Sequence, residues 1–311
     1  MISLKERRFS FSRGGSIDDL AESIRETGLL VPPDLLLEDG RHIVIRGFRR
    51  LHALRRLRFR RVMARVFESG EMSPLEAWST NFFENRSGRA LNPAEACTAL
   101  RQLTTIGLSP HEIRTKYAPL LDLPLQGEGL APLLAVADLP DRMLDALARG
   151  EMTLPSALYL ARLDKGGRRS AFRFLAKAGL TVSQQRQWAR LTSDLAARDG
   201  VPAAKVLSSA SRAAARRGGR FGEAVMQILR ERRYPALAAG RRAFLKVLRD
   251  LRLPPHVQIT THPTFEKRGL TVRFSVSSRE AYTDVLRLLK KAGDDDAVIR
   301  LLGPEKRGSG E

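Results

Sequence analysis

Two short stretches in the first hundred residues carry side chains fit for phosphate chemistry. In Ile45-Arg46-Gly47-Phe48-Arg49-Arg50-Leu51-His52-Ala53 a strand pattern runs through glycine into a helix pattern. The first turn of a helix leaves backbone N–H groups unpaired. Arg49 and Arg50 stand beside them, and together they make a phosphate cradle. The second stretch, Phe83-Glu84-Asn85-Arg86, sets a carboxylate beside an amide oxygen shortly before Leu91-Asn92-Pro93. That pair suits a hard cation such as Mg²⁺ bridging a phosphate. Each stretch alone has a plainer reading, a surface turn in the first case and a solvated polar helix end in the second. His42 and His52 flank the arginine box without a second His or Cys at ligand spacing, which argues against zinc. His256 and His262 suit a solvated or capping role. One cysteine, Cys97, excludes a disulfide framework and a cysteine-rich zinc site.

Charge names the kind of partner. The 311 residues hold 54 Lys and Arg against 34 Asp and Glu, a formal net charge of +20. The excess is uneven: residues 101–141 hold three basic and five acidic side chains, and residues 142–250 hold 23 and eight. Clustering of this kind points to a polyanion, with nucleic acid the default and an anionic membrane surface second. Hydrophobic residues make up 43% of the chain, enough for real cores. No apolar run approaches the roughly 18 residues of a membrane span, and no secretory h-region opens the chain. A soluble, cytoplasmic protein without membrane contact is expected.

The elements that must position these residues are legible from local signals. Residues 8–12 alternate like a strand, and Ser16 is expected to cap a helix that ends at Gly28. Residues 35–37 and 42–45 form a hairpin about Glu38-Asp39-Gly40, followed by a helix over 48–57 and a strand over 62–67. From residue 74 to about 217 apolar positions recur at helical spacing. Asn92-Pro93-Ala94-Glu95 and Ser109-Pro110-His111-Glu112 mark helix starts with proline inside the first turn. Residues 208–220, rich in Ser, Ala, Arg and Gly, read as a flexible basic linker. Helices over 221–232 and 238–251, strands over 257–261 and 270–275, and a helix over 279–291 make a last unit, and the tail after 303 is expected to be disordered.

Taken in order, these pieces resemble the ParB/RepB/Spo0J family of partition proteins, over roughly residues 8–195. Leu20-Ala21-Glu22-Ser23-Ile24 with Gly28-Leu29-Leu30-Val31-Pro32 is similar to that family's LAxSIxxxGxxxP entry. Asp39 to Arg50 resembles the approach to its GERRxxA box, and Glu84-Asn85 with Leu91-Asn92-Pro93-Ala94-Glu95-Ala96 its ENxxR…LNPxEEA box. Asp138-Leu139-Pro140-Asp141, Gly150-Glu151-Met152-Thr153 and Ala157 resemble a later segment, and Gly179-Leu180-Thr181-Val182-Ser183-Gln184-Gln185 its LSVRxTE run. The resemblance implies an α+β, predominantly helical protein. Residues 1–72 would be a small mixed α/β nucleotide-binding domain with a helical extension over 73–106. Residues 107–207 would be an all-α helix-turn-helix domain, and 221–303 a small α+β dimerisation domain after the 208–220 linker.

It also implies a dimeric clamp on double-stranded DNA, gated by CTP with Mg²⁺ and served by a ParA-type ATPase. Carried over by position, Gly47, Arg49, Arg50 and Ala53 belong to the triphosphate loop, Glu84 and Asn85 to the metal, and Gly28 and Pro32 to the base and ribose. Phe48 stands where the family has the glutamate implicated in hydrolysis, so the expectation is binding with at most weak CTPase turnover. The arginine of ENxxR falls on Gly88, with Arg89 one residue late and Arg86 two early. The box lacks the cysteine of the sulfiredoxin relatives, which excludes that activity. Of the expected helix-turn-helix pair, 108–117 and 128–137, the second carries no Lys, Arg, Asn or Gln and includes Pro132, so base reading by it is not expected. Arg168, Arg169, Arg173, Lys177, Arg186 and Arg190 are better placed for phosphates, and Gln184 and Gln185 for bases. Trp188 reads as a packing residue. Two rival readings are a ParB-like transcription regulator that binds no nucleotide and a small-molecule kinase on the same fold.

Overall fold

The computed structural model describes residues 2, 4, 6–13, 16–123, 129–251, 253–262 and 269–293. The protein is predominantly helical with two small sheets, the expected α+β class. It divides into two compact units. The first is the chain up to Ala196 with Gly200–Ser209, and the second is Ala197–Asp199 with the chain from Ala210 onward. The expected nucleotide-binding portion and, apart from Ala197–Asp199, the expected helix-turn-helix portion lie in the first unit.

The first unit opens on α1 (Asp18–Thr27), then the hairpin β1 (Asp34–Glu38) and β2 (Arg41–Arg46), α2 (Phe48–Arg56) and β3 (Arg65–Phe67). Asp39 and Gly40 take φ of +52° and +71° at the hairpin tip, the paired positive values of a tight two-residue turn. β3 joins β1 in parallel, giving the order β2-β1-β3. The connection through α2 makes that parallel pairing possible, because parallel neighbours need a crossover. Ala21, Ile24, Ala53 and Leu54 bury the contact of α1 with α2, while Leu35, Val44 and Leu51 join α2 to the sheet.

Several expectations are corrected. Residues 8–12 are not a strand: Phe9 and Phe11 are both buried, and they are held by packing and by a side-chain hydrogen bond rather than by a ladder. The expected strand over 62–67 shortens to β3. Ile17, not Ser16, is the N-cap of α1, although the Ser16 hydroxyl accepts from the Asp18 N–H at 2.9 Å.

Next come α3 (Pro74–Gly88) and α4 (Pro93–Ile106), both opened by a reciprocal capping box with proline in the first turn. The start at Ser109 is the same device, but α5 (Pro110–Glu112) passes into a π-helical turn and a 3₁₀ turn ending at Leu121. The expected second helix is α6 (Ala131–Ala137); position 128, its expected start, lies outside the described residues. α7 (Asp141–Ala148), α8 (Leu154–Ala161), α9 (Lys165–Ala178) and α10 (Val182–Asp199) follow. Trp188 is fully buried, stacked on Phe174 at 5.4 Å and edge-on to Tyr159 at 5.2 Å, as a packing residue should be.

The expected linker is helical over most of its length. α11 (Ala203–Arg217) runs through it, because alanine and arginine are strong helix formers and glycine enters only at 218. α12 (Phe221–Arg233) and α13 (Pro235–Leu251) pack together, and β4 (Val257–Thr261) pairs antiparallel with β5 (Leu270–Phe274) before α14 (Arg279–Gly293). The expected tail lies outside the described residues.

Candidate functional site

β2 delivers the chain into Gly47, whose φ of +89° turns it straight into α2. A Cβ at this position would lie 2.9 Å from Pro33 Cβ, so only glycine lets the turn close against Pro33, the residue that leads into β1. The first N–H groups of α2 therefore face an open cleft of about 480 Å³. That size falls within the roughly 300–1,000 Å³ of small-ligand pockets. Phe48, Arg49 and Arg50 form one wall, and Asn81, Glu84 and Asn85 of α3 the facing one. The two boxes, far apart in sequence, share one cavity.

The charged groups in the cleft are already paired. Arg50 Nη2 donates to Glu84 Oε1 at 2.7 Å, and its Nη1 donates to the Val31 and Pro32 carbonyls at 2.8 and 3.2 Å. Arg46 approaches the other Glu84 oxygen at 3.9 Å and holds Asp34 at 2.6 Å. Asp34, 1% exposed, also accepts from Arg65 at 2.8 Å. Arg49, exposed, donates to the Ser16 carbonyl at 2.9 Å. Asn85 accepts from the Ser12 hydroxyl at 2.7 Å and donates to Asn81, whose own amide donates to the Phe9 carbonyl at 2.5 Å. This chain of bonds seats residues 9–12 against α3 as the back of the cleft.

Not every expected residue lines it. Ala53 is fully buried in the α1–α2 contact, one helical turn too far along, and supports the loop rather than touching the cavity. Gly28 caps the end of α1 at φ +78°, and Pro32 contributes through its carbonyl. The arginine missing at Gly88 is supplied at neither neighbour in a free form. Arg86 donates to the Leu120 carbonyl, away from the cleft. Arg89 reaches the cleft rim, yet it forks onto Glu95 with two bonds of 2.6 Å, which hold its pKa above the usual value.

Glu95 is 0% exposed and also accepts from the Arg13 and Asn92 N–H groups at 2.7 and 3.1 Å. Sequence reasoning saw Glu95 as one half of a capping box and missed its other partners. It passed over Arg13 and Asp34, which carry no local signal.

In the helical region, Arg169, Arg173 and Lys177 are exposed on α9 at four-residue spacing, and Arg186 and Arg190 are exposed on α10. Two neighbours are corrected. Arg168 folds back onto the carbonyls of Leu160, Ala161 and Leu163 at 3.1–3.2 Å and closes the end of α8. Gln185 is 5% exposed, accepting from the Thr153 N–H at 3.0 Å and donating to the Glu151 carbonyl at 3.1 Å, so it cannot reach a base. Gln184 gives its oxygen to the capping box of α10. α6 offers no charged or amide side chain.

No group of three or more metal-ligating side chains occurs among the described residues, and none of the described helices is long and apolar enough to cross a membrane. Residues 4–85, which frame the cleft, match the ParB N-terminal domain family. Over this stretch the chain resembles a ParB N-terminal domain. The resemblance drawn from its motifs is borne out there and by its relatives. The chain is 28% identical over 169 residues to the chromosome-partitioning protein Spo0J of Thermus thermophilus, covering 54% of this chain and 60% of that one. It is 28% identical over 179 residues to a probable chromosome-partitioning protein ParB of Pseudomonas putida, covering 56% and 59%. It therefore spans about 60% of the length of these relatives.

Two solved structures of C-terminally truncated ParB from Caulobacter crescentus are also similar. The complex with CTP-gamma-S has 23% identity and a TM-score of 0.23, covering 53% of this chain and 89% of that one. The complex with the centromeric parS site has 24% identity and a TM-score of 0.28, covering 58% and 90%.

Proposed function

We propose that this chain is a partition protein of the ParB kind, acting on double-stranded DNA as a dimeric clamp gated by CTP with Mg²⁺. The observation that carries this reading is the cleft itself, where the glycine turn, the free N–H groups of α2, Arg49 and Arg50 face Glu84 and Asn85. Its relatives are named for chromosome partitioning, which supports the biological role.

The donor set fits Mg²⁺ with a bound triphosphate. One carboxylate and one amide oxygen are too few to hold the ion alone, but Mg²⁺ commonly takes one or two carboxylates plus phosphate oxygens. Mg²⁺ would supply charge neutralisation between phosphate oxygens. Arg50, now on Glu84 at 2.7 Å, is the group that turns to the phosphates as Glu84 turns to the cation. Turnover is weak or absent in this reading. Phe48 packs against the Leu35–Val44–Leu51 cluster and cannot accept a proton, and Glu84 is the one carboxylate among the cleft's lining residues.

DNA is held chiefly by charge, through Arg169, Arg173, Lys177, Arg186 and Arg190, without base reading by α6. Dimerisation through the second unit, a ParA-type ATPase partner and a place on the nucleoid complete the proposal. Calorimetric titration with CTP, ATP and GTP in Mg²⁺, with and without duplex DNA, tests it. CTP-selective binding that is lost in Arg49→Ala/Arg50→Ala, with duplex affinity retained, supports the clamp. No binding of any nucleotide leaves a basic DNA-binding regulator, and selectivity for ATP revives the kinase reading.

A further inference from the structure

The far end of α2 from the cleft carries a second basic feature that the partition reading does not use. α2 terminates in a two-bond C-terminal cap: the Arg58 N–H donates to the Arg55 carbonyl at 3.1 Å and the Phe59 N–H to the Leu54 carbonyl at 3.0 Å. In this cap the residue at the position of Arg58 takes the left-handed conformation and is usually glycine. Here it is arginine, at φ +63°. A side chain is strained in that region, where glycine is not.

The arginines around it divide cleanly. Arg55 contacts His52, Arg56 pairs with Asp18, and Arg65 pairs with Asp34. Arg58, Arg60 and Arg61 are exposed and have no ion pair or side-chain hydrogen bond among the described residues. Between and beside them stand Phe59 and Met63, 57% and 86% exposed. The groove below is lined by Ile2, Leu4, Leu51, Leu54 and Val62, with arginine at its rim and no carboxylate. A contact between Phe59 and Leu54 commonly accompanies this cap and accounts for one edge of the ring. It does not account for the exposed face, nor for Met63.

We propose that residues 58–63 form a contact for single-stranded nucleic acid, in which Phe59 takes the face of an unpaired base and Arg58, Arg60 and Arg61 take the flanking phosphates. Cations interleaved with an exposed aromatic ring are the elements of a single-strand platform. Duplex phosphates would satisfy the arginines but leave Phe59 and Met63 in water, because paired bases hide their faces in the stack. This site is separate from the cleft, so it stands or falls independently of nucleotide gating.

The test uses the full chain and a fluorescein-labelled oligothymidylate of roughly a dozen residues, followed by anisotropy across a salt series. Phe59→Ala should weaken binding about tenfold or more. Arg58→Gln/Arg60→Gln/Arg61→Gln should reduce the log–log salt slope by about two, from roughly 0.7 per phosphate contact. Arg58→Gly is the discriminating variant: it should raise the melting temperature by about 2–4 °C and still weaken oligonucleotide binding. A purely structural loop would gain stability with no loss of affinity, and that result overturns the proposal. So does unlabelled duplex that competes as well as single strand, or polyglutamate that does the same, which would make the groove a site for an acidic peptide.

Discussion

Replacing Gly47 by alanine isolates the turn on which the cleft depends. Two costs add. Left-handed backbone at φ +89° and ψ +21° is unfavourable for a side chain by about 1–2 kcal/mol. The new Cβ would also lie 2.9 Å from Pro33 Cβ and 3.1 Å from Pro33 Cα. Those atoms belong to a buried, ring-locked backbone that cannot swing aside, and such overlap costs about 1–3 kcal/mol. The sum, about 2–5 kcal/mol, is a large share of the roughly 5–15 kcal/mol that holds a domain folded. Gly179 supplies the matched reference. It is left-handed at φ +56° and ψ +38°, but a Cβ there meets nothing within 4 Å. Gly179→Ala should therefore lose only about 1–2 kcal/mol. Urea unfolding of the two variants beside the parent measures the difference. Gly47→Ala should exceed Gly179→Ala by at least about 1 kcal/mol and should also weaken CTP binding. Equal losses would refute the close approach of Gly47 to Pro33 and, with it, the account of how α2 is aimed at the cleft.

Gln185→Ala should destabilise the helical region by about 2–3 kcal/mol, because the Thr153 N–H and Glu151 carbonyl lose a buried partner; an unchanged urea midpoint would contradict that. Burial pushes the Cys97 thiol up to about 12, so at a pH near 8 it stays protonated. Ellman's reagent should leave it unmodified until urea unfolds the chain, and rapid reaction of the native protein would show the burial to be wrong. Arg169→Gln/Arg173→Gln/Lys177→Gln should lower the log–log salt slope of duplex binding by about three, from roughly 0.9 per phosphate contact. A slope that does not move would remove α9 from the DNA surface.

Local signals in the sequence determined much of the protein. The Asp39-Gly40 hairpin, the proline-bearing capping boxes at Ser73, Asn92 and Ser109, and the strand–glycine–helix turn at Gly47 each depend on a few adjacent residues. The two phosphate-and-metal boxes were legible for the same reason. Their meeting in one cleft was not a local property, and it was expected only from the resemblance.

Tertiary structure decided which partner each side chain keeps. Side-chain type assigned Arg168 to phosphates and Gln185 to bases, but Gln185 is buried among backbone groups and Arg168 closes a helix end. The Ala- and Arg-rich run over 208–217 has a composition that serves a linker or a helix equally, and here it is a helix. Arg89 was a displaced copy of a motif arginine until Glu95 was seen to hold it. A capping box or a turn closes over a few consecutive residues, so its energy is written in sequence order. Burial and long-range pairing depend on what the fold brings within about 3 Å, and that distance is set only when the chain has folded.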